Sequence, residues 1–388
     1  MGCPIFTAVV LTALVLLMPF TAKAQSCPSR SDWPTEAWPD RIQETATRKA
    51  AEIQALEDYA FTRIGKDEER LGVRTDGVVI IHNGAIVYER YVAPYGPEKR
   101  HIAWSVTKSV TSALTGLAVG RGAVSLDDSI CDHLEIPKPE SCQVKLGHLL
   151  VFSSGFDWTE LYEDKSNQAS SVLAMLYGEG RRDMARFVAE HRLRDTPGTT
   201  FMYSTGESLL LASAVQEGVQ KTFQKGDTFP WEWLFDPIGM KTAVLEKDAK
   251  GHFKGGSHLF ATPRDFARFG WLYLNDGCWA GQRLLPEGWV ADSTTVSEPF
   301  RTASLDAGSE PQGRKWWLNR PVPEQGLPTR PWPDVPADAY AARGHWGQSV
   351  TVIPSLDVVV VRVADDREEG AFELNRFLSL ALAIVEAP

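Results

Sequence analysis

Ser105-Val106-Thr107-Lys108 opens a stretch, running to Val119, that lacks proline and keeps Val106, Val110, Ala113, Leu114 and Leu117 close to one stripe. That spacing predicts a buried helix, ended by Gly120 or Gly122. Residues three apart on a helix share a face, so the Lys108 amine can approach the Ser105 hydroxyl. A serine hydroxyl is a poor nucleophile until a base takes its proton. A lysine serves as that base only where burial or nearby positive charge lowers its pKa. The apolar Ile102-Ala103-Trp104 and Val106 on either side are consistent with such burial. A hydroxyl at a helix start also gains from the positive end of the helix dipole. Alone the pattern is weak, because Ser-x-x-Lys arises by chance in a chain of 388 residues and equally describes a polar helix start.

Outward from this stretch, strand signals lie on both sides at a distance. Val78-Val79-Ile80-Ile81 and Ala85-Ile86-Val87-Tyr88 flank His82-Asn83-Gly84, whose Asn-Gly pair predicts a tight hairpin turn. Ser349 to Ile353 and Val358 to Val363 form a second pair around Pro354-Ser355-Leu356-Asp357. Helical spacing appears at both ends, over Asp40 to Arg63 and Ala371 to Val385. Residues 127–255 are loop-rich with helical patches and few strand signals. The expected fold is α/β: an antiparallel sheet flanked by terminal helices, from residues 25–126 and 256–388, with a mainly helical domain, 127–255, inserted. The proline-dense stretch 321–336, with Trp332 inside it, reads as a rigid surface loop that lines substrate or simply closes the surface.

Composition narrows the class. The formal net charge of -10, with no cluster of Lys and Arg, disfavours nucleic acid as a partner. Residues Ile5 to Phe20 are almost all apolar and Ala22-Lys23-Ala24 offers a small-x-small cleavage pattern. A signal peptide over 1–24 is therefore expected, and with it a periplasmic or secreted location. A membrane anchor is the alternative, though the apolar run is short for a span and no Lys or Arg precedes it. Lipidation at Cys27 has little support from Gln25-Ser26. Four cysteines follow the cleavage point, and an even count in an exported protein suggests pairing. Cys131 with Cys142 is the preferred bridge and Cys27 with Cys278 follows by elimination; isolated buried thiols are the alternative. No cysteine–histidine spacing resembles a zinc site, and neither metal nor cofactor is expected.

Two further elements strengthen the Ser105–Lys108 reading. Tyr203, in Phe201-Met202-Tyr203-Ser204-Thr205-Gly206, is a candidate proton carrier: a tyrosine hydroxyl near a lysine ammonium exists partly as phenolate. Its plain alternative is packing before a turn. Gly344-His345-Trp346-Gly347-Gln348 enters a strand, and small residues there let backbone approach a ligand, so the Gln348 and Ser105 amides together can bind an oxyanion.

Taken in order, these three motifs resemble the penicillin-recognising serine hydrolase superfamily, whose Ser-x-x-Lys signature is well defined. The tyrosine is similar to that of the class C β-lactamase branch. Leu149-Leu150-Val151-Phe152-Ser153-Ser154-Gly155 and Ala261-Thr262-Pro263-Arg264-Asp265 are similar to that branch too, and the resemblance runs from about residue 70 to the C-terminus. Ser153-Ser154-Gly155-Phe156-Asp157-Trp158 and the 344–348 segment most resemble the 6-aminohexanoate-dimer hydrolase/esterase group. The resemblance implies that the site lies in a cleft between the α/β and helical domains. Ser105 would be acylated with Lys108 as its base, Tyr203 would protonate the leaving group, and the Ser105 and Gln348 amides would hold the oxyanion. Water activated by the Tyr203–Lys108 pair would then release the acyl group.

Two departures bear on substrate. Thr205 stands where the second motif usually ends in asparagine, and His345 where the third usually begins with lysine. A histidine is often uncharged near neutral pH, so attraction of a substrate carboxylate is weakened. The expected substrate is a small-molecule carboxylic ester or linear amide. The alternatives are a β-lactamase or D-alanyl-D-alanine carboxypeptidase, and a non-turnover binding or sensor protein. His345, Trp346 and Gly347 are candidate substrate contacts. Asp157 and Trp158 are candidates too, with a turn around a packed indole as the competing reading.

Overall fold

The computed structural model describes Gly2 and residues 27–30, 33–162, 170–305 and 308–385. The expected signal peptide, 1–24, lies outside the described residues apart from Gly2. In chain order the first elements are α1 (Ile42–Arg48), α2 (Ala50–Ala60), β1 (Thr75–His82), β2 (Ala85–Tyr91), β3 (His101–Ile102) and α3 (Val106–Gly120). Then come α4 (Leu146–Leu150), α5 (Ser171–Leu176), α6 (Met184–Ala189), α7 (Thr205–Phe223), β4 (Val244–Leu245), β5 (Leu259–Ala261) and α8 (Pro263–Leu274). The chain closes with β6 (Cys278–Trp279), β7 (Gln282–Arg283), α9 (Trp289–Ser293), α10 (Glu298–Thr302), β8 (Trp317–Leu318), β9 (Tyr340–Gly344), β10 (Gln348–Ile353), β11 (Val358–Ala364) and α11 (Leu374–Val385).

The β-branched runs form the centre of a six-stranded antiparallel sheet in the order β2-β1-β11-β10-β9-β8. Successive side chains on a strand point to opposite faces. Val78, Ile80, Val358 and Val360 face Leu56 of α2 and Phe377 and Leu378 of α11. Val79, Ile81, Val359 and Val361 face the layer that contains α3 and α8. With apolar neighbours on both faces these strands need no polar alternation, so the runs are continuous. The first hairpin turns through Asn83 and Gly84, both at positive φ, as the Asn-Gly pair predicts. The expected helix over Asp40 to Arg63 is broken at Lys49, whose Nζ donates to Ala383 O of α11 at 3.0 Å.

Helix α3 departs from the expected single stripe. Thirteen consecutive residues, Val106 to Ala118, are buried. Two of its hydroxyls bond to other elements: Thr111 Oγ1 donates to Gly255 O and Ser109 Oγ to Lys315 O, each at 2.6 Å. Residues 127–255 carry α4 to α7 and the two-residue β4. They share one apolar cluster with the sheet, running from Val79 through Val110 to Leu210 and Phe235.

Both cysteine pairs are bridged, Cys131 to Cys142 and Cys27 to Cys278. In the 321–336 stretch Trp332 is buried against the α2/α11 side of the sheet. Asn319 Nδ2 holds the loop through the carbonyls of Trp332, Val335 and Pro336. Among the described residues no helix is long and apolar enough to cross a membrane.

Candidate active site

The chain approaches Ser105 as an edge strand and leaves it as a helix. His101 and Ile102 pair with β5, and Ala103 N–H donates to Leu259 O at 2.8 Å. Trp104 then adopts left-handed backbone (φ 45°), uncommon for a large side chain, and Ser105 caps α3. This abrupt strand-to-helix turn sets the Ser105 hydroxyl at the N-terminal end of α3, whose first N–H groups, of Val106, Thr107 and Lys108, donate three residues back to the carbonyls of Ala103, Trp104 and Ser105.

Lys108 Nζ lies 2.8 Å from Ser105 Oγ, 2.8 Å from Thr205 Oγ1 and 2.8 Å from Gly256 O. Lys108 is 2 % exposed. Burial pushes its pKa down to about 8, against an opposing pull from Glu160. A fraction of neutral amine is therefore present near neutral pH, already in contact with the hydroxyl it would deprotonate.

Tyr203 neighbours Ser105, and Lys108 Nζ is 5.0 Å from its ring centroid. Desolvation of the hydroxyl, reinforced by Glu160, raises the phenol above its ordinary range against a lowering influence of Ser105. The surroundings thus keep Tyr203 protonated. It can donate a proton, whereas the partial phenolate suggested by its nearness to lysine is disfavoured.

Glu160 and Tyr162 join these residues unannounced by the sequence. Glu160 accepts from Thr205 N–H (3.0 Å), Thr205 Oγ1, Trp158 Nε1 (2.6 Å) and Tyr162 OH (2.9 Å). Tyr162 also shares a 2.9 Å hydrogen bond with Thr205 Oγ1 and stacks on His345, with ring centroids 4.7 Å apart. Thr205, in the position usually held by asparagine, therefore links Lys108 to Glu160.

The other candidates separate. His345 and Trp346 both meet Trp104 edge-on, at 5.8 and 5.3 Å, which places them beside the nucleophile's turn. Gly347 packs toward the Arg362–Asp366 ion pair, where a Cβ would collide. Asp157 is on the surface, paired with Arg192 at 2.8 Å. Trp158 is buried under Gly206 at the start of α7, so its indole is packed, the competing reading above. The only visible signal for Glu160 was its nearness to that pair: the right loop, two residues on. Gln348 faces Gly344 across the first rung of β9 and β10. Its carboxamide is spent on Ala364, donating to its carbonyl at 2.6 Å and accepting from its N–H at 2.9 Å. Gly344 abuts Ala103, and a Cβ there would stand inside contact distance of the Ala103 carbonyl oxygen.

Among the described residues one group of metal-ligand types converges, Asp183, Asp248 and His252. Asp183 caps α6 through Arg186 N–H, and Asp248 accepts from the N–H groups of Met184, Lys250 and His252. Backbone N–H groups account for the two carboxylates, and His252 Nε2 lies 3.3 Å from Glu217 Oε1.

A family model described as Beta-lactamase matches residues 58–383. The chain belongs to that family. It is therefore placed among serine hydrolases with a β-lactamase/transpeptidase-like fold. A 6-aminohexanoate-dimer hydrolase of Paenarthrobacter ureafaciens is 25% identical over 344 residues, covering 85% of this chain and 82% of the relative. A penicillin-binding protein homologue from Caulobacter crescentus superposes with a TM-score of 0.61 at 14% identity, over 86% of this chain and 97% of the other. A class C beta-lactamase does so with a TM-score of 0.56 at 16% identity, over 89% and 96%. These two structures speak to fold.

Proposed function

We propose that this β-lactamase-family protein hydrolyses a carboxylic ester or linear amide through an acyl-enzyme on Ser105. The observation that carries the reading is the 2.8 Å contact between Ser105 Oγ and a buried lysine whose basicity is lowered to about pKa 8. In this reading neutral Lys108 takes the Ser105 proton as Oγ attacks the carbonyl carbon. The oxyanion is held by the Ser105 amide and a second amide from the 344–348 turn, for which Gln348 N–H is the candidate. Contact between Gly344 and Ala103 supports the nearness of that turn. Tyr203 gives its phenolic proton to the leaving oxygen or nitrogen and regains one from the Lys108 ammonium. The neutral pair then takes a proton from water, which attacks the acyl carbon, and the pair returns that proton to Ser105 Oγ as the acyl carbon–Oγ bond breaks.

Thr205 and the aromatic group His345, Trp346, Trp104 and Tyr162 favour substrates that need no lysine partner for a carboxylate. The name of the Paenarthrobacter relative makes a linear amide a sensible member of the test panel. Export to the periplasm or medium is part of the proposal, supported by the two disulfides.

The test is intact-protein mass spectrometry during turnover of p-nitrophenyl butyrate, linear 6-aminohexanoate dimer and nitrocefin. We expect a transient mass increase on the wild type with continuing product release, and neither on Ser105→Ala. Full activity in Ser105→Ala sinks the mechanism. Rapid turnover of nitrocefin alone would move the assignment to a β-lactamase, and an adduct that never releases would make the protein a sensor.

A further inference from the structure

Behind the proposed acid lies a buried lysine that the reaction above does not use. Lys315 is 3 % exposed and precedes β8 in left-handed backbone, φ 66°. That conformation is unfavourable for a residue with a side chain, so its neighbours must hold it there. Its carbonyl accepts from Ser109 Oγ at 2.6 Å, one residue beyond Lys108 on α3. Its Nζ donates to Leu149 O at 2.6 Å and stands 3.3 Å from the centroid of the Phe152 ring.

Phe152 is the other half of the contact. Its ring lies 4.9 Å from that of Tyr203, and its carbonyl accepts from Met202 N–H at 2.9 Å. Ring and backbone therefore both brace the segment that carries the phenol. Phe152 is itself in left-handed backbone, φ 58°. Glu207, buried in the first turn of α7, favours the charged form of Lys315, against burial that pushes the lysine pKa well down. Ser154 Oγ donates to its Oε1 at 2.7 Å, while Oε2 has no hydrogen-bond partner among the described residues. An N–H group seated on an aromatic face is attracted to it in the neutral amine as in the ammonium, and that contact fixes the ring as well as the lysine.

We propose that Lys315 is a positioning residue for Tyr203, fixing the phenol through the Phe152 ring at the place from which it protonates the leaving group. The proposal rests on the acid role given to Tyr203 above. Its signature is dependence on the leaving group, because p-nitrophenolate departs without a proton whereas ethoxide needs one.

The experiment measures kcat/KM for p-nitrophenyl butyrate and ethyl butyrate with wild type, Lys315→Met, Phe152→Leu and Tyr203→Phe. We expect Lys315→Met to lose about tenfold or more on ethyl butyrate and less than about threefold on the p-nitrophenyl ester. Phe152→Leu leaves the Lys315–Leu149 bond in place and should show the same asymmetry. The double variant should be no worse than the poorer single, because both act along one path. Should Lys315→Met fail to fold, Phe152→Leu decides by the same ratio. Equal losses on both esters, or none, overturn the role of Lys315 if Tyr203→Phe is itself asymmetric. A symmetric Tyr203→Phe overturns the acid role, and with it the path that depends on it.

Discussion

Lys108 is held between opposing influences that act at single residues. Burial lowers its pKa to about 8, and the Glu160 carboxylate, reached through Thr205, opposes that shift. Only the neutral amine can take the Ser105 proton. Acylation should therefore fall as pH drops through about 8, visible as an acidic limb in kcat/KM. Glu160→Gln removes the negative charge that favours the ammonium, so the limb should move to lower pH. An unmoved limb would mean that a different group titrates there. At this scale Ser105 and Lys108 were legible because one helical turn joins them in sequence, and Tyr203 because a second motif marked it. Glu160, Tyr162 and Lys315 were not legible. Each is a lone polar residue in a loop or at a strand entrance, and only non-local folding brings it to the site. Asp157 and Trp158 marked the correct loop, but an exposed ion pair and a packed indole take those positions.

Elements matter here by how closely they approach. The end of β9 lies against the strand that delivers Ser105, at Gly344 and Ala103. The obstacle to a side chain at Gly344 is a backbone oxygen, which cannot rotate aside as the end of a flexible side chain would. Gly344→Ala should therefore push β9 and the 344–348 turn away from the nucleophile. Loss of a single oxyanion donor costs roughly a hundredfold or more in kcat. Overpacking of this kind costs about 1–3 kcal/mol in stability. Turnover of p-nitrophenyl butyrate and a urea melt would check both, and a normal kcat in a destabilised variant would detach the turn from catalysis. Both hairpins and the C-terminal helix were readable from β-branched runs, turn residues and helical spacing. The burial of α3 on every side was not, because Thr107, Ser109, Thr111, Ser112 and Thr115 look like a polar face until their partners are known.

For the whole molecule, the two disulfides do different work. Cys131–Cys142 closes a short local loop, with a sequence separation of 11, beside the helical part. Cys27–Cys278 spans a separation of 251 and ties the segment before α1 to β6, just beyond α8. A cross-link stabilises chiefly by restricting the unfolded chain, and more so for longer loops. The ceilings are on the order of 3 kcal/mol for the short loop and 5 kcal/mol for the long one. Neither bridge includes a residue of the proposed site. Replacing Cys27 and Cys278 by serine should thus lower the urea midpoint more than replacing Cys131 and Cys142, while kcat at 25 °C stays near wild type in both. Alkylation of all four thiols without reductant would remove the premise. A collapse of kcat without loss of stability in the Cys27/Cys278 variant would instead mean that the N-terminal segment helps to shape the site. Arg30, three residues after Cys27, offers a structural reason for anchoring that segment. Its guanidinium pairs with Asp357, in the turn between β10 and β11, and lies over the Trp271 ring of α8. Loss of the bridge would leave those contacts to hold the segment alone, so a melt of the Cys27/Cys278 variant should steepen its dependence on salt.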